Sequence, residues 1–270
     1  MDILKRNLAP LSEEAWEEIE DQAKMTIKGN LTARSVVDFS GPHGWDFGAI
    51  GTGRIELADK PAEGVPYGIR EVIPLVEIRI PFTLDLREMD SISRGLKDPD
   101  LDAVEEAARK AALFEEKAVY YGFKDGNIEG IAEASPLKSQ ALTRNASEYP
   151  EIIEKGVLAL EEKGRHSLAP FDLVLGNIPY QTVMIGDERG YPLKKRIQEI
   201  IQGELRWSPA VKGGILISRR GGDYLLTVGQ DFSIGYTAHT SDKVELYLTE
   251  SMTFQVFEPA AALEFKFKTA

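Results

Sequence analysis

From Val72 onward the chain alternates apolar and polar residues for longer than one ordinary strand. Val72, Pro74, Val76, Ile78, Ile80, Phe82, Leu84 and Leu86 hold the even positions, while Glu71, Glu77, Arg79, Thr83, Asp85 and Arg87 stand at odd ones. Successive side chains of a strand point to opposite faces, so this spacing predicts an extended segment with one apolar face. Strands in globular domains usually run to about five or six residues. A run of about fifteen exceeds what a compact domain uses and predicts an arm that reaches across to a neighbouring subunit.

Helical spacing is equally plain elsewhere. Over residues 12–28, Ser12 suits an N-cap and Glu13 and Glu14 suit the positive end of the helix dipole. Trp16, Ile19, Ala23 and Ile27 share one face, with Leu11 placed to staple onto Trp16. Residues 100–122 carry Val104, Ala107, Ala111, Phe114, Ala118 and Tyr121 at steps of three and four, with Leu101, Ala108, Ala112 and Leu113 forming a second apolar face. This predicts a helix buried on more than one side. Residues 130–220 alternate helix and strand signals: helices near 149–163 and 192–203, and strands at 171–177 and 213–222. Alternation returns over 244–256.

The motifs that could carry chemistry fail on their own terms. The glycine run Gly48-Ala-Ile-Gly51-Thr-Gly53 has the wrong order for a dinucleotide fingerprint and no Gly-Lys-Ser/Thr for a phosphate loop. It reads as a turn-rich connection where glycine supplies positive φ. Residues 125–130, DGNIEG, begin like a calcium loop, but the twelfth position is Pro136, which predicts a capped turn. Ser135 and Lys138 match S-x-x-K without its companion motifs. His43, His166 and His239 lack metal-ligand spacing. With 44 carboxylates in the chain, an acidic pair has no diagnostic weight. No catalytic group, metal site or cofactor site is expected.

A net charge of −12 argues against a nucleic-acid partner, which calls for a basic face. The absence of cysteine removes disulfides and thiolate sites. No signal-like or membrane-spanning apolar run is present, so the expected location is cytoplasmic with no membrane partner.

Several ordered segments resemble one known family. They are LAPL with Trp16 in the first helix, VVDFSGPHGW at 36–45, PLVEIRIPFTLDLREMD at 74–90, and EEAARKAALFEEKAVYYG at 105–122. Further on come GYPLKKRI at 190–197, ISRRGGDYLLTVGQDFSIGY at 217–236 and LYLTESMTFQVF at 246–257. Together the chain resembles the family 1 encapsulin shell proteins, the group also called linocin-type bacteriocins. The resemblance implies an α+β fold of the tailed-phage major capsid type. Its parts would be an N-terminal helix and arm at 1–45, an extended loop and its base at 46–84, a peripheral domain at 85–130 and 221–270 with 100–122 as spine helix, and an axial domain at 131–220.

What the family implies about function is containment. The partner is then the chain itself, in a closed icosahedral shell. The enclosed cargo would be a ferritin-like iron protein or a dye-decolourising peroxidase, held through a short C-terminal targeting peptide. Matching positions make Arg34, Asp38, Asp231, Phe232, Ile234 and Tyr236 the expected docking residues, an apolar shelf with one cation and one anion. The five-fold pore would be edged by Gly186, Asp187, Glu188, Arg189 and Gly190, whose repeated carboxylates favour cations. Some members stack flavin on a tryptophan following FTLDL; Arg87 stands there, so flavin is not expected, although Arg79 is retained. Other members carry a ferritin-like domain ahead of the first helix; here iron chemistry is expected from separate cargo. The alternatives are a phage-type capsid protein packaging DNA, or a protease or bacteriocin. Gly41 and Gly44 belong to the shared segment at 36–45, and the glycines here, with Gly48, Gly51 and Gly53, are expected to let the chain turn and approach a neighbour closely, with Trp45 as the packing anchor.

Overall fold

The computed structural model describes residues 3–163, 170–188 and 190–267. The chain enters through α1 (Glu13–Asn30), β1 (Asp38–Ser40), the ribbon strands β2 (Ala49–Leu57) and β3 (Gly68–Pro74), and β4 (Val76–Asp85). The helices α2 (Leu86–Ser93), α3 (Asp102–Tyr121) and α4 (Ile131–Ala134) follow. Next come β5 (Gln140–Leu142), α5 (Tyr149–Lys163), β6 (Phe171–Leu175) and α6 (Asn177–Ile185). A small hairpin of β7 (Asp187–Glu188) and β8 (Tyr191–Pro192) leads to α7 (Leu193–Ile201), β9 (Leu205–Trp207) and β10 (Gly214–Ser218). The chain closes through β11 (Tyr224–Val228), β12 (Ser233–His239), β13 (Lys243–Val256) and β14 (Ala262–Phe267).

Two five-stranded sheets organise these elements. The first runs β1-β11-β13-β12, with β4 also on β13; the second runs β5-β14-β10-β6-β9. The expected peripheral segment 221–270 is divided by this pairing, because β14 joins β10 and β5 in the second sheet. One hydrophobic core lies among α1, α2, α3, β4, β12 and β13, and includes Ile19, Phe82, Met89, Val104 and Leu246. A second core fills the space between α5, α7 and strands β6, β10 and β14. A third joins the C-terminal half of α3 to strands of both sheets, through Val119 and Tyr120 with Ile215, Ile217, Leu226 and Val228.

The helices follow the local signals. Ser12 caps α1 by accepting the Ala15 N–H at 3.2 Å, and Ala15, Ile19, Ala23 and Ile27 form its buried stripe. α3 buries ten of its twenty residues, the two-sided burial that its doubled apolar pattern predicts. Among the buried ten are two carboxylates, Glu115 and Glu116. Glu116 accepts the Thr32 and Ala33 N–H groups and the Ser208 hydroxyl, each at 2.6 Å, and so ties α3 to the segment after α1 and to the end of β9. Burial pushes its carboxyl up to about 7, outweighing those hydrogen bonds.

The alternating run departs from the single arm expected of it. It breaks at Leu75, whose N–H donates to the Gly48 carbonyl. Only β3 belongs to the ribbon with β2, whereas β4 pairs along its whole length with β13 of the same chain, from Val76↔Met252 to Asp85↔Lys243. The last turn of the pattern is helical, because Asp85 caps α2 by accepting from the Arg87 and Glu88 N–H groups.

The glycine run is likewise a strand rather than a turn. Gly51 and Gly53 lie inside β2, where the pairing slips between Gly51 and Ile55 and Gly53 takes φ +76°. Upstream, the His43 and Gly44 N–H groups donate to the Val228 and Gly229 carbonyls. A Cβ at Gly41 would stand 2.4 Å from the Val228 carbonyl oxygen, so the close approach is within the chain. Trp45 joins none of the three hydrophobic clusters among the described residues. Residues 123–128 form the tight turn expected of DGNIEG, closed by paired hydrogen bonds between Phe123 and Ile128.

Candidate functional site

Between α1, β12 and the segment before α1 lies a groove of about 610 Å³. Ala23, Ile27, Leu31, Phe232, Ile234 and Leu248 give it an apolar lining, and charged residues of α1 edge it. The inward stripe of α1 supplies Ala23 and Ile27, and alternate residues of the strand region supply Phe232 and Ile234. Arg34, Asp231, Phe232 and Ile234 of the six expected docking residues meet here.

Arg34 does not stand as a free cation. Its guanidinium donates to both oxygens of Glu115 at 2.6–3.0 Å, to Asp231 at 2.9 and 3.1 Å, and to Glu250 at 2.8 Å. The rings of Phe232 and Phe39 lie about it at 5.0 and 5.1 Å. Burial opposes the Arg34 charge, but the hydrogen bonds it donates to Glu115 and Asp231 outweigh that and raise the pKa. Glu115 and Glu250 are fully buried. One guanidinium cannot balance three ionised carboxylates in such a place. Burial, reinforced by Glu115, raises the Glu250 carboxyl well above the usual range. Arg34 and Asp231 therefore meet the groove as a bonded unit, not as separate charges waiting for a ligand.

Asp38 and Tyr236 lie outside the groove lining. Asp38, on β1, accepts the Gly222 N–H at 2.5 Å and borders a separate cleft of about 210 Å³ with Ser35 and Asp223. Tyr236 is half-buried against the first core, its hydroxyl 2.6 Å from His239 Nδ1. Its N–H donates to the Leu4 carbonyl at 2.8 Å, so the N-terminal segment covers that stretch of β12. Leu4 and Arg6 of this segment line the groove, and Arg6 pairs with Glu20 while lying 4.2 Å from the Trp16 ring centroid. Sequence reasoning missed Leu4, Arg6, Leu31 and Leu248. It also passed over Lys24 and Lys28, although a helix with Glu13, Glu14, Glu17, Glu18, Glu20 and Asp21 ahead of two lysines is visibly polar along its length.

The expected pore loop folds as the β7–β8 hairpin, with Asp187 opposite Pro192 and Glu188 opposite Tyr191. Gly190 takes φ +84° and donates its N–H to Asp187 Oδ1 at 2.9 Å. Asp187 is exposed, as is Ile185 beside it; Arg189 lies outside the described residues. Arg79 lies 4.2 Å from the Tyr247 ring centroid, and Arg87 is in the first turn of α2. Among the described residues no group of three His, Asp or Glu side chains is placed to hold a metal ion, and no helix is long and apolar enough to cross a membrane. His43 instead meets the Ser40 hydroxyl at 2.8 Å, and His166 lies outside the described residues.

Residues 1–253 match the family described as "Encapsulating protein for peroxidase". The type 1 encapsulin shell protein of Rhodospirillum rubrum is 44% identical over 270 residues, covering 97% of this chain and 96% of that one. The type 1 encapsulin shell protein of Mycobacterium tuberculosis is 37% identical over 263 residues, covering 97% and 98%. Among solved structures, the virus-like particle from Pyrococcus furiosus matches with a TM-score of 0.66 at 16% identity, over 92% of this chain and 97% of that one. The capsid of an empty GTA particle matches at 0.54 with 13% identity, over 89% and 97%. These likenesses establish a phage-capsid-type α+β fold.

Proposed function

This chain belongs to the encapsulin shell-protein family, as a structural and non-catalytic shell subunit, and on that premise we propose that its shell encloses a cargo protein docked by a short C-terminal peptide in the α1–β12 groove. The observation that carries this reading is the groove itself, an open cleft with apolar residues along it and charged residues at its rim. Burying a few Leu or Ile side chains there contributes about 1.5–3 kcal/mol each before the cost of ordering the peptide. The ribbon supports closure of the shell, since Ile55, Leu57 and Val72 are exposed on it and call for a neighbour. Asp187, repeated about a five-fold axis, makes a carboxylate ring that favours cations over anions.

The family description favours a peroxidase as cargo. The acidic hairpin, suited to cation entry, is what favours a ferritin-like iron protein instead. The test is Phe232→Ala: closed particles by negative-stain microscopy should persist while co-purifying cargo, quantified by mass spectrometry, falls several-fold. Undiminished cargo in intact particles would sink the docking reading.

A further inference from the structure

Four basic side chains line the groove: Arg6, Lys24, Lys28 and Arg34. Two of them are already committed. Arg34 is bonded to Glu115, Asp231 and Glu250, and Arg6 to Glu20. Lys24 and Lys28 have no ion-pair or hydrogen-bond partner among the described residues, and both are exposed. Asp21, one turn earlier on the same rim, makes no ion pair with either. Residues four apart on a helix stand side by side, so the two ammonium groups can converge on one anion. Seven apolar residues line the same groove beside them.

A ligand matched to this site is apolar along its length and carries a single negative group at one place. A C-terminal tail of Leu, Ile and Gly has that form, because its one obligatory charge is the terminal carboxylate. We propose that Lys24 and Lys28 receive the terminal carboxylate of the docked tail and so set its direction, with the chain end at the C-terminal half of α1 and upstream residues toward Asp21 and Glu20. This rests on the reading that a C-terminal tail docks in the groove.

The test co-expresses the shell with a fluorescent reporter bearing a tail of Leu, Ile, Gly and Ser, ending either at its last apolar residue or after six further Gly-Ser residues. The extension moves the carboxylate by up to about 20 Å without changing the apolar part. Reporter fluorescence per particle is read for wild-type, Lys24→Gln/Lys28→Gln and Phe232→Ala shells. Wild type should load the short-ended tail about fivefold better than the extended one, the scale of two partly solvated ion pairs. The double-lysine variant should load the short tail at the extended-tail level and leave the extended tail unchanged. Equal loading of both tails by wild type, or an equal loss for both in the lysine variant, overturns the proposal while leaving the groove reading intact. Full loading of both tails by Phe232→Ala shells overturns the groove reading itself.

Discussion

The alternating pattern that starts at Val72 takes in the end of β3 and all of β4, yet the two strands meet opposite fates. In β4, Phe82 and Leu84 are 7% and 4% exposed, against α-helices on one side and with β13 along the edge. In the ribbon, Val72 is 56% exposed, and Leu57, across from Gly68, is 76% exposed. The difference lies in β13. This strand is fourteen residues long and buried at every position over 246–250, so it has an edge and a core to offer β4. The ribbon has no such host within the chain, and a bare two-stranded ribbon is marginal in water. Alternation thus reports that one face is apolar; it does not report which molecule will cover that face.

The largest expected effect breaks the covered side. Phe82→Ala should lower subunit stability by about 3–5 kcal/mol, read as a fall in the urea midpoint of unassembled subunits. An unchanged midpoint would mean that β4 is not held by the core packed against it. A smaller effect sharpens the cost of covering polar groups. The folded pKa of Glu116, about 7, lies above its ordinary 4.5, so the folded state favours the protonated form. That stabilisation is fully present below about pH 4.5 and is lost as pH rises through about 7, a change of up to about 3 kcal/mol. Glu116→Gln should lose that share of the pH dependence and keep only the slope that the raised Glu250 carboxyl contributes, and a wild-type slope retained whole in the variant would assign the titration elsewhere. The smallest effect on the subunit falls on the ribbon. Leu57→Asp should change subunit stability by less than about 0.5 kcal/mol yet hold the protein as small species on size exclusion. Normal shells from that variant would show that the ribbon's apolar face needs no neighbour.

Much of the architecture was legible in the sequence where it depends on near neighbours. The stripes of α1 and α3, the cap at Ser12 and the strand pattern at 244–256 all follow from spacing within one element. Among the elements that escaped are the helices α2 and α6. α2 begins at Leu86, where the apolar alternation still continues, and the cap at Asp85 is what turns the chain. α6 is apolar around much of its circumference, with Pro179 near its start, so its period is weak. Of the candidate site, Phe232 and Ile234 came through the resemblance, while Leu4 and Arg6 reach the groove only because the N-terminal segment folds back along β12.

By itself the sequence determined element types, the order of motifs that marks the family, and a helix acidic at one end and basic at the other. The tertiary structure alone decided that the alternating arm is shared between a ribbon and a sheet, that Arg34 is consumed by its own chain, and that Lys24 and Lys28 are not. The physical reason is range. Periodicity is set within a few residues, whereas Arg34 meets Glu115 81 positions away and Glu250 216 positions away. Which charges remain free for a partner is known only after such distant groups have been brought within hydrogen-bonding distance.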